Sequence, residues 1–161
     1  MTTTPWTMPS PTPSPTTADA SSARLSRLER YAVLYARLAL GGAFLSGIAS
    51  RFGLWGKDVG YGNFENFVHY TAEVNAFMPA FTIPFLAWAA TAAELGLGIA
   101  LILGLWPRWV ALGSALLLLL FGVAMTISQG LKPPLDYSVF SASAAALLLA
   151  LHEIRTRGAS A

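Results

Sequence analysis

The chain has no cysteine and only two histidines, His69 and His152. Without thiols it forms no disulfide, runs no thiol exchange and offers no thiolate to a metal. Both histidines lie outside its long apolar stretches, so a haem held between two imidazoles within those stretches is excluded as well. Charge is the second scarcity: charged residues make up 11% of the sequence, against roughly 25% in a soluble domain. The formal net charge of +2 is too small, and its basic residues too scattered, to mark a nucleic-acid surface.

What the chain has is apolar sequence in blocks. Trp109 to Leu131 carries no charge at all, and about 20 apolar residues suffice to cross a hydrocarbon core of roughly 30 Å. Four such segments are expected: Tyr31–Leu54, Pro84–Trp106, Trp109–Ser128 and Tyr137–Leu151. Pro84 suits the first turn of its helix, where a missing N–H does no harm. Only Pro107 and Arg108 separate the second and third segments, which makes them antiparallel neighbours. The fourth is short and needs residues through Leu135 or Glu153 to span. The fold class is therefore all-α, a polytopic four-helix transmembrane bundle in one domain over residues 23–155.

Thr, Pro and Ser make up 16 of the first 22 residues, which have almost nothing to bury and read as a disordered tail. They lack the basic start and apolar core of a signal peptide, so the first span is expected to remain. Residues 156–161 form a short second tail. Arg24, Arg27, Arg30, Arg108, Arg155 and Arg157 fall on one side of a four-span chain, and only Arg51, Lys57 and Lys132 on the other. The excess of basic residues puts both termini in the cytoplasm.

Between the first two spans, Phe64, Phe67, Val68, Thr71, Val74 and Phe77 recur at helical spacing, while Glu65, His69 and Glu73 share another face. This predicts an interfacial helix with its aromatics toward lipid or bundle. The Glu65, His69, Glu73 ladder is the solvated side of that helix, and no metal site is expected there.

Glu94 is the only charged residue between Glu73 and Arg108. A carboxylate at that depth is costly and seldom kept without a partner or a task. Small residues on or beside its helical face, Ala87, Ala90, Thr91 and Gly98, turn it toward protein. In the first span Arg37 and Arg51 share a face, about 21 Å apart along the axis. Counted inward from the cytoplasmic ends, Arg37 comes within reach of Glu94, so these two are expected to form an intramembrane pair; snorkelling of Arg37 and a neutral Glu94 acid are the alternative. Asp136, at the predicted start of the fourth helix, has two roles open to it. It can cap that helix, or it can join Arg51 and Tyr137 in an outer polar cluster.

Arg37, Gly41, Phe44 and Gly47, then Glu94, Gly98, Leu101 and Gly104, Arg108 in the tight turn and Asp136 before the fourth helix together resemble the DoxX family of four-helix bacterial membrane proteins. The resemblance runs from about Arg37 to Leu151. Two features depart from it: Arg51 stands four residues after Gly47, and Lys132, Pro133 and Pro134 replace a glycine-rich loop. It implies a protein of the bacterial inner membrane, linked in some relatives to sulfur oxidation, quinone reduction or redox stress. By that implication the chain is a redox-linked accessory or quinone-associated subunit. It would carry no cofactor of its own, with quinone bound through a partner protein or a bundle pocket. The residues themselves do not establish an enzyme. A small proton-coupled transporter titrating Glu94, and a purely structural assembly subunit, are the readings from other classes.

Overall fold

The computed structural model describes residues 17–158, and among them every regular element is helical. Helix α1 spans Thr17–Arg51, α2 Phe64–Val74, α3 Ile83–Leu103, α4 Pro107–Gln129, α5 Lys132–Asp136 and α6 Val139–Gly158, with a 3₁₀ turn at Ala80–Thr82 before α3. Four of these stretches, Arg24–Arg51, Ala80–Leu103, Pro107–Gln129 and Val139–Thr156, are long and apolar enough to cross a membrane. The fourth gains the length its sequence required by running past Glu153. The tail expected over residues 1–22 lies outside the described residues up to residue 16; residues 17–22 are helical. Alanine is the best helix former, and this stretch of the sequence holds three, at 18, 20 and 23. At the other end residues 156–158 continue α6, and 159–161 lie outside the described residues.

Packing divides the chain into two units at Ala32. In the first, the turns of α1 through Tyr31 expose Leu25, Leu28 and Tyr31 along with Arg24, Arg27 and Arg30. The second, from Val33 on, is the bundle. Its core joins Leu40 and Phe44 of α1, Leu101 of α3, Val110, Ala111 and Ala115 of α4, and Ala146, Leu149 and Ala150 of α6. Lipid tails are as apolar as leucine, so these contacts stabilise through close packing, which small residues allow. Gly122 lies under the Phe140 ring, where a Cβ would come within 2.7 Å of Cε1, and Ser143 Oγ donates to the Ala115 carbonyl at 2.8 Å. Large side chains such as Leu116, Leu120, Trp88 and Phe85 point outward, as a lipid-facing surface requires.

The turn between α3 and α4 is fixed by local chemistry. Gly104 takes a positive φ of 73°, and the Leu105 and Gly104 N–H groups bond back to the Ala100 and Leu101 carbonyls in a Schellman motif. After α1, Gly53, Gly56, Gly60 and Gly62 all have positive φ, which folds the loop back on itself. Ser50 Oγ accepts from the Tyr61 N–H at 2.9 Å and holds Tyr61 beside the end of α1. Helix α2 starts at Asn63, whose side chain accepts the Asn66 N–H at 2.9 Å. It buries Phe67, Thr71 and Val74 against the bundle and leaves Glu65, His69 and Glu73 exposed. Ser128 Oγ at the end of α4 donates to the Val74 carbonyl at 2.7 Å, tying α2 across the outer ends of α3 and α4.

Candidate functional site

Helices α1 and α3 run antiparallel, and their glycines set the register. A Cβ on Gly41 would meet Ile102 Cγ1 at 2.7 Å and the Gly98 carbonyl oxygen at 2.9 Å, and one on Gly98 would meet Phe44 Cβ at 3.2 Å. With Gly41 against Gly98, Gly47 lies opposite Glu94, and a Cβ there would come 3.3 Å from Glu94 Oε2. One turn further, Arg51 faces Thr91. Arg51 Nη2 donates to Glu94 Oε1 at 2.5 Å, and Nη1 donates to Thr91 Oγ1 at 3.0 Å. Thr91 gives its own proton to the Ala87 carbonyl at 2.8 Å, which leaves its oxygen free to accept. Both charged side chains are buried, Arg51 and Glu94 each at 4% exposure.

This corrects the pairing expected from sequence, which joined Arg37 to Glu94. In the observed register Arg37 lies opposite Leu101 and Gly104, seven to ten residues or about 10–15 Å along α3 from Glu94, with its guanidinium turned to that end of the helix. Counting inward from assumed helix ends placed α1 and α3 about a turn out of step. Arg37 has a different partner: its Nε donates to the Leu101 carbonyl at 3.0 Å, at the C-terminal end of α3. There a cation complements both the last carbonyls and the negative end of the dipole.

The outer cluster also differs from expectation. Asp136 neither caps α6 nor meets Arg51. It ends the five-residue α5, is exposed, and pairs with Lys132 one turn back. The two prolines that follow Lys132 start that short helix, so α6 begins only at Val139, beyond the reach of Asp136 as a cap. Tyr137 does reach the site, since it lines the same cavity as Arg51.

That cavity, of about 900 Å³, lies between the N-terminal half of α3 and the C-terminal half of α4. Its floor is Arg51 and Glu94, and α2 covers it with Phe67, Tyr70 and Thr71. The Phe67 ring stacks under the Arg51 guanidinium, with Cζ 3.7 Å from the ring centroid. Tyr61 meets Phe67 edge-on at 5.1 Å and Tyr70 at 5.4 Å between centroids. Burial raises the pKa of both phenols, with the neighbouring hydroxyls adding to it, so Tyr61 and Tyr70 are neutral hydrogen-bonding groups at any physiological pH. One donor is left over: Arg51 Nε is buried and has no partner among the described residues.

The sequence missed the part played by Phe67, Tyr61 and Tyr70. The aromatic face of α2 was visible, but which span it covered was not. The four glycines in the loop after Arg51 were the signal that the chain turns back over that arginine at once.

Residues 32–128 match the family model for DoxX. The chain belongs to the DoxX family. The matched stretch holds most of α1, all of α2 and α3, and α4 up to Ser128, and so includes Arg37, Arg51 and Glu94; α6 lies beyond it. No curated protein and no solved structure matches the chain. Within this DoxX protein, then, the buried Arg51–Glu94 pair is a feature of the matched segment, and Asp136 and Tyr137 are not.

Proposed function

We propose that this protein is a redox-linked accessory subunit that takes a quinone from the bilayer into the cavity beside Arg51 and Glu94. The observation that carries the reading is the Arg51 side chain, which lines a largely apolar and aromatic cavity and keeps a buried Nε–H without a partner among the described residues. A planar ring bearing carbonyl acceptors fits that donor set, because a buried N–H without an acceptor costs about 1–3 kcal/mol. A bound quinone supplies the capacity to accept electrons and protons. The chain's own residues do the rest: Arg51 binds a carbonyl, the walls exclude water, and Glu94 is the acid at the floor that can hold a proton. With no cysteine in the chain, the electrons come from a partner protein.

Binding tests this directly. Purified protein in nanodiscs should show saturable quenching of tryptophan fluorescence by a benzoquinone, beyond that of empty nanodiscs. Arg51→Lys keeps the charge but loses the planar N–H, and should weaken binding about tenfold. Absence of saturable binding to the wild-type protein would leave the pair with a structural role, the tie between α1 and α3.

We also propose a multi-pass protein of the bacterial inner membrane with both termini in the cytoplasm, from the six arginines that fall on one side. Cysteines placed at Asp58 and Gln129 should react with an impermeant thiol reagent in intact cells, and cysteines at Ser22 and Arg108 should not. The reverse pattern would invert the topology. Asp58 serves better than Gly62, where a Cβ would lie 2.1 Å from the Lys57 carbonyl oxygen.

A further inference from the structure

We infer that the cavity opens sideways to lipid between α3 and α4, and that this cleft holds the hydrocarbon tail of the ligand whose ring sits at Arg51; the inference rests on the quinone reading above. The cleft is written into a stripe of α3. Leu86, Ala90, Ala93 and Leu97 follow one another at three- and four-residue steps, with Ala89 four residues before Ala93, and so line one side of the helix. At the inner end Leu97 fills the space against α4, where a Cβ on Gly113 would come 3.2 Å from its Cδ2. One and two turns outward the stripe holds only alanines. Opposite Ala89, Ala90 and Ala93 the α4 side chains do not close the gap, and the cavity occupies it.

Ala89 and Leu120 line the cavity and are both exposed on the bundle surface, so the opening between the two helices faces the hydrocarbon region. Gly47 and Arg51 of α1 stand behind the cavity and Phe67, Tyr70 and Thr71 of α2 lie along it, while the exposed Gly60 and Tyr137 line it near the ends of the helices. A ring on a membrane-embedded chain therefore has a lateral path between α3 and α4. The cavity of about 900 Å³ stands at the upper end of the roughly 300–1,000 Å³ usual for small-molecule sites, leaving room for chain as well as ring. Arg51 and Glu94 form the charged end of the cavity, and the alanine cleft leads from there to the bilayer.

The ligand class is therefore a ring with hydrogen-bond acceptors carrying a long apolar chain, and Ala89 and Ala93 set the preference for the chain. Two probes separate ring from tail: dimethoxy-methyl-benzoquinone, and the same ring with a decyl chain. Binding is read as tryptophan quenching in nanodiscs, corrected with empty nanodiscs for partitioning. Wild-type protein should bind the decyl probe at least about tenfold more tightly than the bare ring. Ala89→Leu/Ala93→Leu fills the cleft and should abolish that preference while leaving the bare-ring affinity within about twofold. Leu120→Trp, filling the cleft from the other wall, should do the same, and circular dichroism and thermal unfolding establish that each variant is folded. Retained preference for the decyl probe in folded filled variants overturns the inference and leaves the ring site standing. Equal loss of both probes also overturns it, since the alanines would then serve the ring. Binding of neither probe to wild type defeats the quinone reading itself. A co-purifying phospholipid that the decyl probe does not displace, and that the filled variants lack, would assign the cleft to lipid and overturn the inference.

Discussion

Glu94→Leu is expected to destabilise the protein by about 3–5 kcal/mol, because it leaves the Arg51 guanidinium buried without its counter-charge. Arginine has no neutral form to fall back on. Arg51→Met should cost less, since a carboxylate that has lost its cation can still be discharged by a proton. The double variant should recover most of the loss, as a buried ion pair exchanged for apolar groups of similar size is often neutral or better. Denaturant unfolding in detergent micelles measures all four forms. A coupling energy near zero would remove the pair as an energetic unit. The same cycle with Arg37→Met in place of Arg51→Met supplies the contrast. Arg37 lies about 10–15 Å along α3 from Glu94 and shares no partner with it, and distant sites add to within about 0.5 kcal/mol.

That contrast marks where the sequence stopped being legible. Four spans, the amphipathic helix between the first two, the antiparallel turn at Pro107 and the inward face of Glu94 all follow from patterns along one helix at a time, and composition and periodicity carry them. The partner of Glu94 depends on how far one helix has slid along another, and misjudging that offset by about a turn was enough to bring Arg37 within apparent reach of Glu94. Arg37 and Arg51 lie on one face, so periodicity cannot choose between them. Assumed helix ends are a poor ruler, because ends vary by a residue or two and α1 continues well beyond its apolar stretch at Thr17. The better ruler was present as Gly41 and Gly98, the small residues that let two backbones meet. Asp136 failed for a related reason: Pro133 and Pro134 make a short helix of their own, which shifts the start of α6 past the residue that was to cap it.

If the glycine contact sets the register, Gly41→Leu should cost more than overpacking alone. The added Cβ would lie 2.9 Å from the Gly98 carbonyl oxygen, a backbone atom that cannot rotate away, so α1 must move off α3. Overpacking a closed contact typically costs about 1–3 kcal/mol. Displacing α1 should in addition remove the Arg51–Glu94 interaction, about 15 Å further along the helix. Gly42→Leu is the control, since nothing lies within 4 Å of a Cβ at the next residue and the side chain there faces outward. It makes the same change in composition and helix propensity, and its cost should stay within about 0.5 kcal/mol. The decisive reading is the Arg51–Glu94 coupling energy repeated in each background: preserved in Gly42→Leu and lost in Gly41→Leu. Coupling that survives Gly41→Leu would mean that the ion pair, and not the glycine contact, holds α1 in register against α3.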